Sequence, residues 1–195
     1  MELTDGLDYT NATFTDRVFP KNLGDVNFRN CAFEKIDFNG ANLETLYFEK
    51  CLFKNCDFST CKFSKYRVKD DKFIECKLMG INIVENNIEG SSFKDCLMKY
   101  INFTDSSLKK VSFENCNLEE SNFVSLKKLE STTFKNCDMT KVDFYCTSLN
   151  KVDLRSCTIS GMRVRMEDLR GLTVTDMQAI ELATILGISI KGEEE

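Results

Sequence analysis

The chain contains no histidine and no tryptophan, and Pro20 is its only proline. Histidine is the commonest general base and the commonest metal ligand in proteins. Without it, catalysis would have to rely on carboxylates or a thiolate alone. We therefore expect a protein that is not an enzyme and that holds neither a metal nor a cofactor.

Long apolar runs are also absent. The most apolar stretch, residues 179–190, is too short and too interrupted to span a bilayer. Residues 1–5 are acidic where a secretory signal would be basic. We expect a soluble, cytoplasmic protein without membrane contact. The net charge of −5 does not favour direct binding to nucleic acid.

What the sequence does contain is a five-residue period. Every fifth residue from Phe28 to Phe123 is large and apolar, and after one extra residue the step resumes from Leu129 to Leu169. On an α-helix such a stripe would wind around the axis, and on a strand it would alternate between faces. The period instead predicts a chain that turns a corner every five residues and points one large side chain inward on each side.

A second set of small residues lies two positions before the large ones. Side chains two apart on an extended segment point the same way, so each side places one large and one small residue in the core. The small set comprises Cys31, Ala41, Cys51, Cys56, Cys61, Cys76, Ser91, Cys96, Ser106, Cys116, Ser121, Thr132, Cys137, Thr147 and Cys157.

The number of sides follows from the recurrence of cysteine. Cys56, Cys76, Cys96 and Cys116 are 20 residues apart, which predicts four sides in each coil. The fold class is therefore all-β, a right-handed quadrilateral β-helix with a short C-terminal helix. We assign residues 1–25 to an N-terminal extension and cap, 26–174 to the β-helix with a minor break at 124–128, and 175–195 to a C-terminal helix, dimerisation element and acidic tail.

The repeat resembles the pentapeptide repeat family, whose pattern is written A(D/N)LXX. Ala41-Asn42-Leu43-Glu44-Thr45 is a near copy, and Ser121-Asn122-Phe123 is a close variant. The resemblance covers about residues 26 to 172 and implies the solenoid fold of that family.

Ten cysteines could indicate disulfides or a metal site, but nine of them occupy the small inward position and Cys146 alone does not. Free cysteine is a good small core residue, and metal spacing such as C-x2-C is absent. We interpret the nine as core residues. Tyr66 and Asp71 also take small inward positions, which is either a local binding feature or an irregularity bonded to nearby backbone.

Several outward positions are candidates for a partner surface. The acids Glu75 and Asp95 share one column, and Glu85 and Asp105 share another. Asn42, Asn82, Asn102 and Asn122 with Asp143 form a polar ladder that we interpret as structural. Outward apolar residues could form a partner surface or be scattered singly, and they are Ile74, Met79, Val84, Val124 and Tyr145.

The period fades after Leu169, and a helix is predicted next. Thr175 has the character of an N-cap, and Gly187 that of a C-terminal stop. Residues 188–190 could add a short strand. The apolar residues of this segment cover more than one buried face, so we expect one part to plug the coil and the rest to join a second copy in a two-fold dimer. The expected dimerisation residues are Met177, Ala179, Ile180, Leu182, Ala183, Leu186 and Ile188.

The end of the chain resembles the quinolone-resistance (Qnr) type of pentapeptide repeat protein. The resemblance is carried by Asp168-Leu169-Arg170-Gly171-Leu172, by Gln178-Ala179 and by Leu186-Gly187-Ile188. It implies a homodimeric DNA mimic that binds DNA gyrase or topoisomerase IV and protects it from quinolone-like inhibitors. The alternative is a repeat scaffold that binds another protein. The long loop of many Qnr proteins is absent, and one extra residue near Val124 takes its place.

Overall fold

A computed structural model describes residues 3–59, 61–63 and 67–191, and it shows a right-handed, four-sided β-helix followed by one short α-helix. The predicted fold class is confirmed. The strands are β1 Asp8–Thr10, β2 Thr13–Val18, β3 Asn22–Arg29, β4 Ala32–Asp37, β5 Asn42–Glu49, β6 Leu52–Lys54, β7 Lys62–Phe63, β8 Arg67–Lys69, β9 Lys72–Ile74, β10 Asn87–Glu89, β11 Ser92–Lys94, β12 Ser107–Lys109, β13 Ser112–Glu114, β14 Lys128–Glu130 and β15 Thr133–Lys135.

Two parallel sheets form adjacent sides of the coil. Side 1 has the order β1-β3-β5-β8-β10-β12-β14, with β7 also paired to β5, and side 2 has the order β15-β13-β11-β9-β6-β4-β2. Side 3 carries the rows centred on Phe38, Phe58, Leu78, Met98, Leu118 and Met139. Side 4 carries the rows centred on Ile83, Phe103, Phe123 and Phe144, which are linked by isolated parallel bridges such as Asn102↔Asn122.

Neighbouring coils are in register at 20 residues, as Phe73↔Phe93↔Phe113 shows. The offset rises to 21 at Leu108↔Leu129, across the one-residue insertion. There Leu126 is half-buried, and its N–H donates to Thr147 Oγ1 at 2.9 Å. The insertion is a local bulge that leaves the strand pairing intact.

The coil begins earlier than the predicted boundary at residue 26. Strand β1 pairs with β3 through Tyr9↔Phe28, and β2 pairs with β4 through Phe14↔Phe33, both at an offset of 19. The step from Phe19 to Leu23 is four residues rather than five, so a count in fives from Phe28 does not reach these strands. Residues 8–25 are therefore part of the β-helix rather than an extension outside it.

The predicted large inward residues form the core. Of those with described side chains, all are buried except Leu129 and Leu169, which are partly buried at irregular places in the coil. The side chains of Leu43 and Phe63 lie outside the described residues. On side 2 the phenylalanine rings stack nearly parallel along the axis, with centroids 4.6 to 5.1 Å apart from Phe14 to Phe134. This spacing matches the distance between paired strands.

The small inward residues also act as hydrogen-bond donors. Cys116 Sγ donates to Phe93 O at 3.4 Å, Ser121 Oγ to Met98 O at 3.0 Å, and Thr147 Oγ1 to Phe123 O at 2.6 Å. Each bond reaches the carbonyl of a large residue in the preceding coil. A small inward side chain with a donor therefore fills the corner and satisfies a buried carbonyl, which explains why cysteine, serine and threonine interchange at this position.

The corners are made by residues in the left-handed region. Of the described residues, 22 that are not glycine have φ between 46° and 66°, and each lies two positions after a large inward residue. Ten of them are asparagine or aspartate, the residues that adopt this conformation most readily after glycine. The regular reversal to positive φ turns the chain at each corner.

The C-terminal helix forms as predicted. Helix α1 spans Asp176–Ala183 and continues as a 3₁₀ turn over Thr184–Leu186, and Gly187 ends it with φ 70°. Thr175 is the N-cap: its hydroxyl accepts from Gln178 N, and its own N–H donates to the Gln178 side chain. A further 3₁₀ turn over Met166–Leu169 precedes the helix. Residues 188–190 have no regular secondary structure, so the short strand considered there is absent.

Candidate interaction surfaces

The C-terminal helix closes the coil mainly through Gln178, which is buried. Its Nε2 donates to Leu154 O at 2.8 Å and to Cys157 O at 2.7 Å, two carbonyls of the last coil. Its Oε1 accepts from Thr175 N at 2.9 Å. One side chain thus caps both the helix and the open end of the β-helix. Leu182 packs beside it against the core.

The opposite side of this helix is open to solvent. Met177 is 70% exposed, Ile180 45% and Ile188 50%, and Ala179 is exposed as well. Leu182 and Ala183 are half-buried, and the side chain of Leu186 lies outside the described residues. The expected dimerisation residues therefore divide into an inner part that plugs the coil and an apolar part at the tip of the rod.

The four acids predicted as a partner surface lie at corners of the coil. Glu75 and Asp95 stack at the corner between sides 2 and 3, and Glu85 and Asp105 stack at the corner between sides 4 and 1. Ten residues, or half a coil, separate the two pairs. They are diagonally opposed and do not form one continuous surface. Within the described part of the chain, none of the four makes an ion pair, although Asp95 accepts a hydrogen bond from Asn115 Nδ2 at 2.8 Å.

Charges on side 1 neutralise one another along the axis. One outward column alternates in sign from coil to coil, through Arg29, Glu49, Lys69, Glu89, Lys109 and Glu130. Neighbours are 3.4 to 3.8 Å apart where they pair, as at Arg29–Glu49, Glu49–Lys69 and Glu89–Lys109. Exposed pairs of this kind contribute little stability, but they leave no net charge for a partner.

The remaining candidates have varied exposure. Val84 and Tyr145 are exposed, whereas Ile74, Met79 and Val124 are partly buried by neighbouring coils. The polar ladder on side 4 is bonded along the axis, since Asn102 Nδ2 donates to Asn82 Oδ1 at 3.1 Å. Tyr66, the side chain of Asn42 and residues 192–195 of the acidic tail lie outside the described residues.

Asp71 is fully buried at a small inward position. Its carboxylate accepts from Cys51 N at 2.6 Å and from Lys69 N at 3.0 Å. Burial raises the pKa of this carboxyl to about 7 despite the two backbone donors. Of the two interpretations of the irregular position, the structure supports the one in which the polar atoms bond to nearby backbone.

The cysteines behave as core residues. All ten are free thiols, and nine are buried. Burial raises the pKa of Cys51 and that of Cys61 to about 12, which disfavours the reactive thiolate. Among residues 3–59, 61–63 and 67–191, no group of three potential ligands is arranged to hold a metal ion. No helix in this described part is both long and apolar enough to cross a bilayer.

The five-residue corners, the four sides and the 20-residue register define a class of protein, the right-handed quadrilateral β-helix. Two family patterns match along it: "Pentapeptide repeat region" over residues 46–123, and "Pentapeptide repeats (9 copies)" over residues 22–62. The chain belongs to the pentapeptide repeat family. A third pattern, "BspA type Leucine rich repeat region (6 copies)", matches residues 86–162.

Several solved structures are similar to the chain at low identity. A trypsin-treated form of QnrB1, described as a plasmid-mediated fluoroquinolone resistance protein, is 20% identical with a TM-score of 0.44, covering 95% of this chain and 100% of that one. HetL of Nostoc sp. strain PCC 7120, described as involved in heterocyst differentiation regulation, is 13% identical with a TM-score of 0.30, covering 87% and 85%. A pentapeptide repeat protein of the Arabidopsis thaliana thylakoid lumen is 19% identical with a TM-score of 0.31, covering 62% and 66%. No curated protein matches the chain.

Proposed function

We propose that this chain is a non-catalytic binding protein of the cytoplasm that acts as a homodimer, mimics DNA, and protects DNA gyrase or topoisomerase IV from quinolone-like inhibitors. The observation that carries the proposal is the C-terminal end. There the sequence resembles the Qnr type, and the helix that closes the coil leaves Met177 and Ile180 exposed at the tip. An apolar tip on a closed rod suits end-to-end pairing of two copies.

The interior supports a binding role over a catalytic one. Large side chains fill the coil, and within the described part of the chain no buried side-chain nitrogen or oxygen lacks a hydrogen-bond partner. A site that turns over a substrate needs a cavity with unpaired polar groups facing it. The chain offers its outer surface instead, as repeat rods commonly do.

A supercoiling assay tests the proposal. Purified gyrase, relaxed plasmid and a fixed inhibitory concentration of ciprofloxacin are combined with increasing amounts of the protein. We expect supercoiling to recover at micromolar protein, and a reaction without drug controls for direct effects on the enzyme. No recovery, together with no gyrase binding at the same concentrations, would reject this function.

The second candidate is a repeat scaffold for a different protein partner. The alternating charges of side 1 favour it, because a surface neutralised by its own ion pairs is a weak mimic of DNA on that side. A pull-down from the native host in which one stable partner other than a topoisomerase is recovered would support this candidate over the first.

A further inference from the structure

Side 4 differs from the other three sides in its charge. Between residues 82 and 146 its outward and trailing-corner positions contain no lysine or arginine, whereas sides 1, 2 and 3 carry lysines over the same coils. These positions are Asn82, Val84, Glu85, Asn102, Thr104, Asp105, Asn122, Val124, Ser125, Asp143, Tyr145 and Cys146. We call them the side 4 surface. Its only charges are negative.

Two exposed tyrosines mark this surface. Tyr145 is 51% exposed on side 4, and Tyr100 is 50% exposed at the corner between sides 3 and 4. Tyr100 has φ 61°, a conformation that is unfavourable for a bulky residue, and the preceding coil has Gly80 at the same corner. A bulky ring kept exposed in a strained conformation points to a role outside the fold.

One tyrosine already shows the chemistry that suits the surface. The guanidinium of Arg165 lies over the Tyr145 ring, with its central carbon 5.6 Å from the ring centroid. Tyr100 has no such cation over its ring among the described residues. Glu85 and Asp105, at the opposite edge, have no ion-pair partner there either. An arginine from another molecule could therefore stack on Tyr100 while a second pairs with the acids.

The nearest cations of this chain do not neutralise the surface. Lys141 at the corner beside Tyr100 is paired with Glu120 at 3.2 Å, and Arg163 is paired with Asp143 at 3.2 Å. The unpaired charges of the surface therefore attract a basic partner and repel nucleic acid.

From these contacts we infer that side 4 is the docking surface of this protein, and that its partner is an arginine- and lysine-rich protein surface of the kind that otherwise binds DNA. This inference rests on the proposed function for the partner's identity, but not for the position of the surface. Four coils span roughly 15–20 Å along the axis, which suits a weak, reversible contact.

Charge reversal tests the position of the surface. The double variant Glu85→Lys/Asp105→Lys is compared with Glu75→Lys/Asp95→Lys, which makes the same charge change at the same corner geometry in the adjacent pair of coils, half a coil away. Binding to purified gyrase is measured by biolayer interferometry at physiological salt. We expect the first variant to weaken binding by about tenfold or more and the second by less than about threefold. The reverse order would overturn the inference.

A second variant addresses the aromatic part. Tyr100→Gly removes the ring and relieves the positive φ, so it keeps the fold. We expect it to weaken binding to gyrase by about three- to tenfold. Unchanged affinity would remove Tyr100 from the surface.

A separate probe distinguishes failure of the inference from failure of the proposed function. If the unaltered protein does not bind gyrase, the proposed function fails and the position of the surface is judged by NMR alone. ¹⁵N-labelled protein is titrated with an octa-arginine peptide, and an octa-glutamate peptide is the control. We expect amide shifts centred on Val84, Glu85, Tyr100, Asp105 and Tyr145. Shifts centred on Glu75 and Asp95, spread evenly over all sides, or absent at millimolar peptide would overturn the inference.

Discussion

At the scale of single residues, the small inward position combines two demands, which are a small volume and a donor for the carbonyl of the coil before. Cys116, Ser121 and Thr147 meet both. Asp71 meets only the first, because an ionised carboxylate cannot donate. It accepts from Cys51 N instead, in the way that Ser91 Oγ accepts from Asp71 N.

Replacing Asp71 with serine is expected to stabilise the protein, and more so at pH 8 than at pH 4.5. The pKa of Asp71 rises from 3.8 to about 7 on burial, so the folded state binds its proton more tightly than the unfolded state does. Its stability contribution is therefore best at low pH and is lost as pH rises from about 4 to 7. The shift of about three units sets an upper bound of about 4 kcal/mol on the difference.

The measurement is urea unfolding of both proteins at the two pH values. Serine retains an acceptor for Cys51 N and supplies the missing donor, and the other carboxylates cancel in the comparison. A stability difference between the two proteins that is the same at both pH values would show that Asp71 does not titrate as described.

The left-handed corners predict a second residue-scale effect. Gly80 has φ 66°, and a Cβ there would meet no atom within 4 Å. Gly80→Ala is thus expected to lower the free energy of unfolding by about 1 kcal/mol through backbone conformation alone. Gly80→Asn is the matched control and should cost less than half as much, since asparagine adopts this conformation at Asn55, Asn115 and Asn136. Equal losses in a urea titration would contradict this explanation of the corners.

At the scale of elements, the C-terminal helix is a lid held by one polar side chain. Gln178→Ala removes two donors to carbonyls of the last coil and half of the capping box, and we expect it to cost about 2–3 kcal/mol. Thr175→Ala removes only the hydroxyl of the helix cap and should cost about 1 kcal/mol. Urea titration of both variants gives the comparison. If the two cost the same, Gln178 does not close the coil.

The elements could be predicted wherever local sequence determines them. The step of five gave the sides, and Thr175 and Gly187 gave the ends of the helix. The strands before residue 26 were missed because the step from Phe19 to Leu23 is shortened by one residue, which the pairs Tyr9–Phe14 and Phe14–Phe19 could have revealed. The role of Gln178 could not be predicted, because a glutamine on an exposed helix has the same sequence signature whether it faces solvent or an open coil end.

At the scale of the whole molecule, the distribution of charge was only partly predictable. Spacing of 20 residues correctly placed Glu75 with Asp95 and Glu85 with Asp105. The 10-residue separation between the pairs also implies diagonal corners, although this follows only once the four-sided geometry is accepted. Which charges are neutralised by neighbours, as at Glu49 and Lys69, depends on side-chain contacts that spacing alone does not give.

The proposed dimer gives a prediction at the same scale. Met177→Glu/Ile180→Glu places two carboxylates on the exposed apolar tip, where they would lie close to their copies across a two-fold axis. We expect light scattering to show a dimer for the unaltered protein and a monomer for this variant at the same concentration. Glu181→Gln on the same helix is the control and should remain dimeric. A monomer before any substitution would reject the end-to-end dimer.

The most direct test of the coil itself is the reactivity of its thiols. Nine cysteines at inward positions are buried, and Cys146 at a corner is partly exposed. With a maleimide reagent and mass spectrometry of the resulting peptides, a four-sided coil predicts that Cys146 is labelled first in the native protein and that the other nine are labelled only on unfolding. Rapid native labelling of Cys76, Cys96 and Cys116 would contradict the inward column on which the fold depends.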